Sequence, residues 1–328
     1  MSNKNKKEKI NSENKRASGF LNGLLSSPTP AKASGLSFTL AATLSVLLSA
    51  VFLLLLALLG LSSKEGFENT DGYLYWAYLL PQISTAIVLF LFFAYTKKSF
   101  AQTVKEQNCP WKYYLVAILL QIGLLSLAEI NSLFLAWLGG LGYQDAGIAL
   151  PSMDGFGFVG VFLAVAVLPA ILEECLFRGA LLSGLKQFGE TAAVLICGGL
   201  FALYHQNPAQ TLYQFCCGVA FALVAIRAKS VLPTVLSHFV NNAVILILTK
   251  CGVTTFQGGA YAAVLGVSLL CLIGALAYLL FLDKKEDAEK LPEETQKAET
   301  KNFWGFAAVG VIVCALNWIL VLATGFGS

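Results

Sequence analysis

Glu173, Glu174 and Arg178 lie inside an otherwise apolar run that is long enough to cross a membrane. An ionisable side chain at bilayer depth costs about 2.5 to 3.5 kcal/mol on insertion scales, so such groups usually face an interior cavity and mark a functional site. On a helix, Glu174 and Arg178 share a face at the i, i+4 spacing and can form an ion pair. Glu173 lies about 100° away from that face, so we expect it to remain free for chemistry.

The two histidines of the chain, His205 and His238, also fall in apolar segments of helical length. Helical spacing stacks Phe201 beneath His205 and Asn242 above His238. A lone buried histidine more often serves as a hydrogen-bonding partner between helices than as a catalytic group. Here two carboxylates and two imidazoles would otherwise have to be hidden from lipid separately, so we expect them to share one polar site.

These side chains are sufficient to hydrolyse a peptide bond. A glutamate in a region of low dielectric can act as a general base toward water, and a neutral imidazole can orient that water. A second imidazole and a carboxamide can donate hydrogen bonds to the oxyanion of a carbonyl under attack. No nucleophile elbow surrounds Ser183 or Ser237, which argues against a serine hydrolase.

The same residues leave a metal ion open as a cofactor. Glu173, His205 and His238 resemble the ligand set of two histidines and one glutamate that holds catalytic zinc. The chain has no His-Glu-x-x-His sequence, and the spacing alone does not decide whether a divalent metal such as zinc binds.

Three motifs in order resemble the CPBP family of intramembrane proteases: Glu-Glu-x-x-x-Arg, Phe-x-x-x-His and His-x-x-x-Asn, within about residues 155–250. This family includes the CAAX prenyl endopeptidases and the bacterial bacteriocin-processing or immunity (Abi) proteins. The resemblance implies a glutamate-dependent endopeptidase, often labelled a metalloprotease, with a helical fold around a conical cavity.

The resemblance also implies a role for each matching residue. Glu173 would activate water together with His205. His238 and Asn242 would stabilise the oxyanion. Glu174 and Arg178 would hold the site together.

The composition indicates a polytopic membrane protein. Of the 328 residues, 57% are hydrophobic and 12% are charged, whereas soluble domains are about 45 to 50% apolar. We predict an all-α transmembrane bundle of eight to nine helices around an intramembrane cavity, with no nucleic-acid partner. Nine runs approach the length that a bilayer requires: 37–61, 73–95, 113–141, 156–187, 191–206, 209–227, 230–249, 260–282 and 303–326.

Four regions follow from this pattern. Residues 1–36 are predicted to form a basic, flexible cytoplasmic tail, and residues 37–155 the N-terminal transmembrane helices. Residues 156–250 are predicted to form the CPBP-like catalytic core. Residues 251–328 hold the C-terminal transmembrane helices, with a charged linker at 283–302.

The lysines and arginines predict the orientation. Apart from Arg178, nineteen lie on one alternating side of the spans, against Lys64 and Lys250 on the other. By the positive-inside rule the N-terminus is cytoplasmic. We expect an integral protein of a bacterial plasma membrane, in contact with membrane lipids and with a peptide or a lipidated protein as substrate.

Simple crossing of every span creates a conflict of depth, because Glu173 and His205 would then lie too far apart to cooperate. Two changes would bring them together. The fourth helix would continue to about Gln187, which places Glu173 near mid-depth. The fifth segment would end inside the protein, with its Asn207-Pro208 turn lining a cavity.

Two other functions remain as alternatives. A non-catalytic bacteriocin immunity or scaffolding protein would bind a peptide or partner in the same cavity. A small-solute transporter would use the buried Glu and His side chains as a proton relay. Transport predicts repeated halves with broken helices in matching positions, and the sequence has no evident internal repeat.

Overall fold

The computed structural model of the protein describes residues 28–105, 108–145, 147, 149–253, 256–283 and 291–327. These residues form an all-α bundle, and eight of the described helices are long and apolar enough to cross a membrane. The predicted polytopic bundle is therefore confirmed. The helices are α1 (Pro30–Leu58), α2 (Asp71–Thr96), α3 (Phe100–Val104), α4 (Lys112–Gly140), α5 (Gly157–Phe188), α6 (Glu190–Tyr204), α7 (Pro208–Ala228), α8 (Leu232–Lys250), α9 (Gly258–Leu282) and α10 (Glu293–Gly327).

Large apolar side chains cover the outer surface of the bundle. Leu133 is 71% exposed and Phe281 is 82% exposed, and many other large apolar side chains are also exposed. So much exposed apolar surface would be unfavourable in water and marks contact with a membrane. The chain is thus an integral membrane protein.

The first helix begins earlier than predicted. Thr29 caps α1 by accepting a hydrogen bond from the Lys32 backbone N–H, and Pro30 occupies the first helical position, where its missing N–H costs nothing. Lys32 is consequently buried in the bundle and does not belong to a flexible tail. Residues 1–27 of the predicted tail lie outside the described residues.

The charged linker predicted at 283–302 is also shorter than expected. Helix α10 begins at Glu293 and continues without a break into the last span. At the other end of the linker, Asp283 is buried and accepts hydrogen bonds from Lys112 at 3.1 Å and from Tyr113 at 3.0 Å. Residues 284–290 lie outside the described residues.

Helix α5 runs through the centre of the bundle and is continuous from Gly157 to Phe188. The continuation predicted to about Gln187 is therefore correct, and Glu173 lies near the middle of the helix. Its core-facing residues are at most 1% exposed: Leu176, Phe177, Ala180, Leu181, Leu182 and Leu185. Apolar packing thus holds the second half of α5 in place.

Helix α6 does not cross the bilayer. Its 15 residues span about 22 Å, which is less than the roughly 30 Å of a hydrocarbon core. The helix ends at Tyr204, and Gln206 then adopts a left-handed backbone conformation with φ of 52°. The fifth predicted span therefore ends inside the protein, as the depth argument required.

Helices α6 and α7 approach each other closely at two glycines. A methyl group at Gly218 would lie 2.7 Å from the Gly198 Cα, and one at Gly198 would lie 2.8 Å from the backbone nitrogen of Val219. Small residues allow this approach, as is common between membrane helices. At the neighbouring Gly199, an added methyl group would meet nothing within 4 Å among the described residues.

We predict that Gly198→Ala destabilises the protein by about 1 to 3 kcal/mol because the added methyl group forces two backbones apart. The matched control Gly199→Ala should be neutral or slightly stabilising, since alanine favours a helix over glycine by about 0.5 to 1 kcal/mol. Thermal unfolding in detergent measures both variants. Equal transition temperatures for the two would contradict the described packing.

Candidate active site

Four of the six predicted site residues line one cavity of about 520 Å³: Glu173, His205, His238 and Asn242. They come from α5, from the end of α6 and from α8. The other two predicted residues, Glu174 and Arg178, do not line the cavity but are buried behind it. The structure therefore brings together residues that are up to 69 positions apart in the sequence.

The geometry of α5 is irregular on both sides of the two glutamates. Wide π-helical turns occupy Phe162–Val167 and Cys175–Leu181, and an α-helical segment, Leu168–Glu174, separates them. Pro169 has no N–H to donate to the carbonyl four residues earlier, that of Val165. The side-chain amide of Asn242 donates to this carbonyl at 3.0 Å. The interruption of α5 thus supplies the contact that positions Asn242.

Glu174 lies at the centre of a buried charged network. Its Oε1 accepts a hydrogen bond from Arg178 Nη1 at 2.7 Å and another from His238 Nδ1 at 3.0 Å. Arg178 also donates from Nη2 to the Gly218 carbonyl at 3.2 Å, and its guanidinium lies 4.3 Å from the centre of the Phe201 ring. The pairing of Glu174 with Arg178 is as expected. The network connects α5 with α6, α7 and α8.

The contact with Glu174 determines which nitrogen of His238 carries a proton. An ionised carboxylate can only accept hydrogen bonds, so His238 must donate from Nδ1. In a neutral ring the other nitrogen, Nε2, is then an acceptor. His238 can donate to an oxyanion from Nε2 only when the ring is an imidazolium.

His205 is held in the same way by a different acceptor. Its Nδ1 lies 2.8 Å from the backbone carbonyl of Phe201, one turn earlier in α6. A carbonyl oxygen accepts only, so Nδ1 carries the proton and Nε2 of the neutral ring accepts. The Phe201 ring lies against the imidazole, with 4.7 Å between the ring centres. His205 is thus suited to accept a hydrogen bond from water.

Glu173 has a partner that the sequence analysis missed. Gln82, on α2, donates from Nε2 to Glu173 Oε1 at 3.1 Å, and both residues line the cavity. A polar residue directly after Pro81 in an apolar, membrane-length run was the available signal, but the run lies outside the three motifs.

A second group of missed residues lies beside Asn242. Asn241 donates from Nδ2 to Asn242 Oδ1 at 3.0 Å, and its own Oδ1 accepts from Gln121 at 2.7 Å and from Tyr213 at 3.1 Å. Because Asn242 Oδ1 accepts from Asn241, its amide nitrogen has a defined direction. One hydrogen of that nitrogen goes to Val165, and one remains.

The cavity residues do not form a metal-binding group. Within the described part of the chain, no three side chains of His, Cys, Asp or Glu approach closely enough to hold a metal ion. The zinc ligand set considered from the sequence is thus not assembled among the described residues.

The cavity opens toward one end of the bundle. From Glu173 and His238, near the middle of their helices, the lining extends to Tyr78, Leu150 and Thr249. These three lie near the end of the bundle where α8 finishes at Lys250. Toward the other end of the bundle, the buried residues of α5 that follow Cys175 close the cavity. The Asn207-Pro208 turn was predicted to line a cavity. Asn207 lines a separate cavity of about 400 Å³ beside α10, not the one that Glu173 lines.

Residues 155–244 match the family model described as type II CAAX prenyl endopeptidase Rce1-like. This segment is thus similar to that family. The match agrees with the resemblance to the CPBP and CAAX protease family that the motifs indicated, and it contains all six predicted site residues. The family is described as an endopeptidase, and an endopeptidase acts on a peptide or protein. No curated protein and no solved structure matches the chain.

Proposed function

We propose that the chain is a glutamate-dependent intramembrane endopeptidase that cleaves a membrane-associated or prenylated, CAAX-like peptide. The observation that carries this proposal is the convergence of Glu173, His205, His238 and Asn242 on one cavity inside the Rce1-like segment. A volume of about 520 Å³ lies within the range of ligand-binding sites.

In the proposed reaction, Glu173 takes a proton from a water molecule while the water oxygen attacks the carbonyl carbon of the scissile bond. His205 Nε2 accepts the second hydrogen of this water and so aims it. When the carbon–nitrogen bond breaks, Glu173 passes its proton to the leaving amine. The products are a carboxylic acid and an amine, and Glu173 returns to its ionised form.

His238 and Asn242 would stabilise the oxyanion of the tetrahedral intermediate. As an imidazolium, His238 would donate from Nε2 to this oxyanion while its Nδ1 stays hydrogen-bonded to Glu174. Asn242 would add its remaining N–H.

We expect Glu173→Gln to abolish cleavage, because an amide cannot accept the proton from water; a general base contributes about 10²- to 10⁴-fold to the rate. Purified protein in liposomes is assayed with quenched peptides, prenylated and unprenylated. The matched control is Glu129→Gln, which removes an exposed carboxylate that does not line the cavity, and it should cleave like the wild type. Undiminished cleavage by folded Glu173→Gln would contradict the proposal. A cellular function that Glu173→Gln leaves intact would favour a scaffolding role.

The distribution of cations also supports an orientation for the site. Lys98, Arg227 and Lys229 lie at the end of the bundle opposite the mouth of the cavity, whereas Lys64 and Lys250 lie at the mouth. By the positive-inside rule, the N-terminus would lie in the cytoplasm and the mouth on the other side of the membrane. The substrate would then be presented from the non-cytoplasmic side.

This orientation predicts which cysteines react with a membrane-impermeant maleimide in intact cells. Cys251, which is exposed at the mouth end, should be labelled, as should a cysteine introduced by Lys64→Cys. A cysteine introduced by Lys98→Cys should react only after the cells are permeabilised. Mass spectrometry identifies the labelled peptides. Labelling of the Lys98→Cys variant, but not of Cys251, in intact cells would reverse the orientation.

A further inference from the structure

Gln82 contributes to the cavity from α2, a helix that lies outside the Rce1-like segment. Its side chain is 7% exposed and donates to Glu173 Oε1. Among the described residues it is the one whose side chain is hydrogen-bonded to Glu173. Loss of a hydrogen bond to an ionised group typically changes a rate or an equilibrium about 10- to 100-fold.

The other end of the Gln82 amide is unsatisfied. Its Oε1 is buried and has no hydrogen-bond partner in the part of the chain that the structure describes. An unpaired buried acceptor is unfavourable, and a donor brought in by water or by a substrate N–H would satisfy it. This orphan oxygen lies in a residue that lines the cavity, beside the carboxylate that would activate water.

The same helix contacts the element that carries His205. One turn after Gln82, the Thr85 hydroxyl shares a hydrogen bond of 3.2 Å with the Tyr204 hydroxyl, and Tyr204 directly precedes His205. The Tyr204 ring also lies 5.3 Å from the ring of Phe177 on α5. Helix α2 thus contacts α5, which carries Glu173, and the end of α6, which precedes His205. These two residues would activate and orient the water.

We propose that Gln82 is a positioning residue for the proteolytic reaction: its amide N–H holds the Glu173 carboxylate in the orientation that aims it at the water. This inference rests on the proposed function, because it assigns Gln82 a role in the same site. The hydrogen bond from Nε2 uses one carboxylate oxygen of Glu173 and leaves the other for water. It also favours the charged form of the carboxylate, since hydrogen bonds to a charged form stabilise it.

The test compares Gln82→Met, which keeps the length of the side chain but removes its amide, with wild-type protein in liposomes. We expect kcat to fall about 10- to 100-fold while KM changes less than about twofold. The acid limb of the rate profile should move to higher pH, because a carboxylate without its donor is protonated more readily. Gln82→Glu, which places a second carboxylate against Glu173, should move the limb in the same direction.

The control is Ser84→Ala on the same helix. Ser84 is buried and donates to the Ala41 carbonyl of α1 at 3.2 Å, away from the cavity. This variant loses a buried hydrogen bond but should keep the wild-type pH profile. An acid limb that stays in place in Gln82→Met, with or without a fall in rate, would overturn the proposal, because loss of packing alone lowers activity without moving a titration.

A second readout separates this inference from the proposed function. A carbodiimide modifies protonated carboxyl groups, so labelling of Glu173, followed by mass spectrometry, reports its protonation without any substrate. Labelling in Gln82→Met should persist to higher pH than in the wild type. If the wild type cleaves no peptide, the proposed function fails, and a positioning role in proteolysis fails with it. If the wild type cleaves but the labelling does not shift in Gln82→Met, the role of Gln82 alone is overturned.

Discussion

The arrangement of the cavity depends on one buried oxygen, Glu174 Oε1, which accepts hydrogen bonds from both Arg178 and His238. Arg178 extends the network to the Gly218 carbonyl and to the ring of Phe201. Four helices are joined in this way around a carboxylate that does not itself reach the cavity. Removing one partner of such a buried pair typically costs about 3 to 5 kcal/mol, because the remaining charge has no water to solvate it. The network therefore selects one relative position of these helices.

Irregular segments of the helices position the candidate catalytic residues around this network. Pro169 frees the Val165 carbonyl, and Asn242 binds it, so an interruption in α5 orients a residue of α8. Helix α6 stops inside the bundle, so His205 reaches the cavity near Glu173. A fully regular bundle would have kept these groups at different depths. Wide π turns often occur at functional sites for the same reason.

Local spacing explains what could be predicted from the sequence. The pair of Glu174 and Arg178 follows from i, i+4 geometry within one helix, and the spans follow from their length and apolarity. The polar residues Glu173, His205 and His238 could be grouped because lipid would penalise each of them separately.

Contacts between distant helices explain what could not be predicted. Gln82 is 91 residues from Glu173 in the chain, and nothing in its own segment indicates which helix it faces. Gln121, Tyr213 and Asn241 likewise lie on three different helices, so their hydrogen bonds could not be predicted from the sequence. The starts of α1 and α10 were misplaced because a capping threonine and a helical charged segment continue each helix beyond its apolar run.

The protonation of the two histidines tests the central claim most directly, because the chain has no others. Nitrogen-15 labelling of histidine gives the signals of two rings in an NMR spectrum, and His205→Gln assigns them by removing one. We expect a proton on Nδ1 of His238, held by Glu174, and on Nδ1 of His205, held by the Phe201 carbonyl. A His238 ring with an unprotonated Nδ1 would contradict the account, because it could not donate to Glu174.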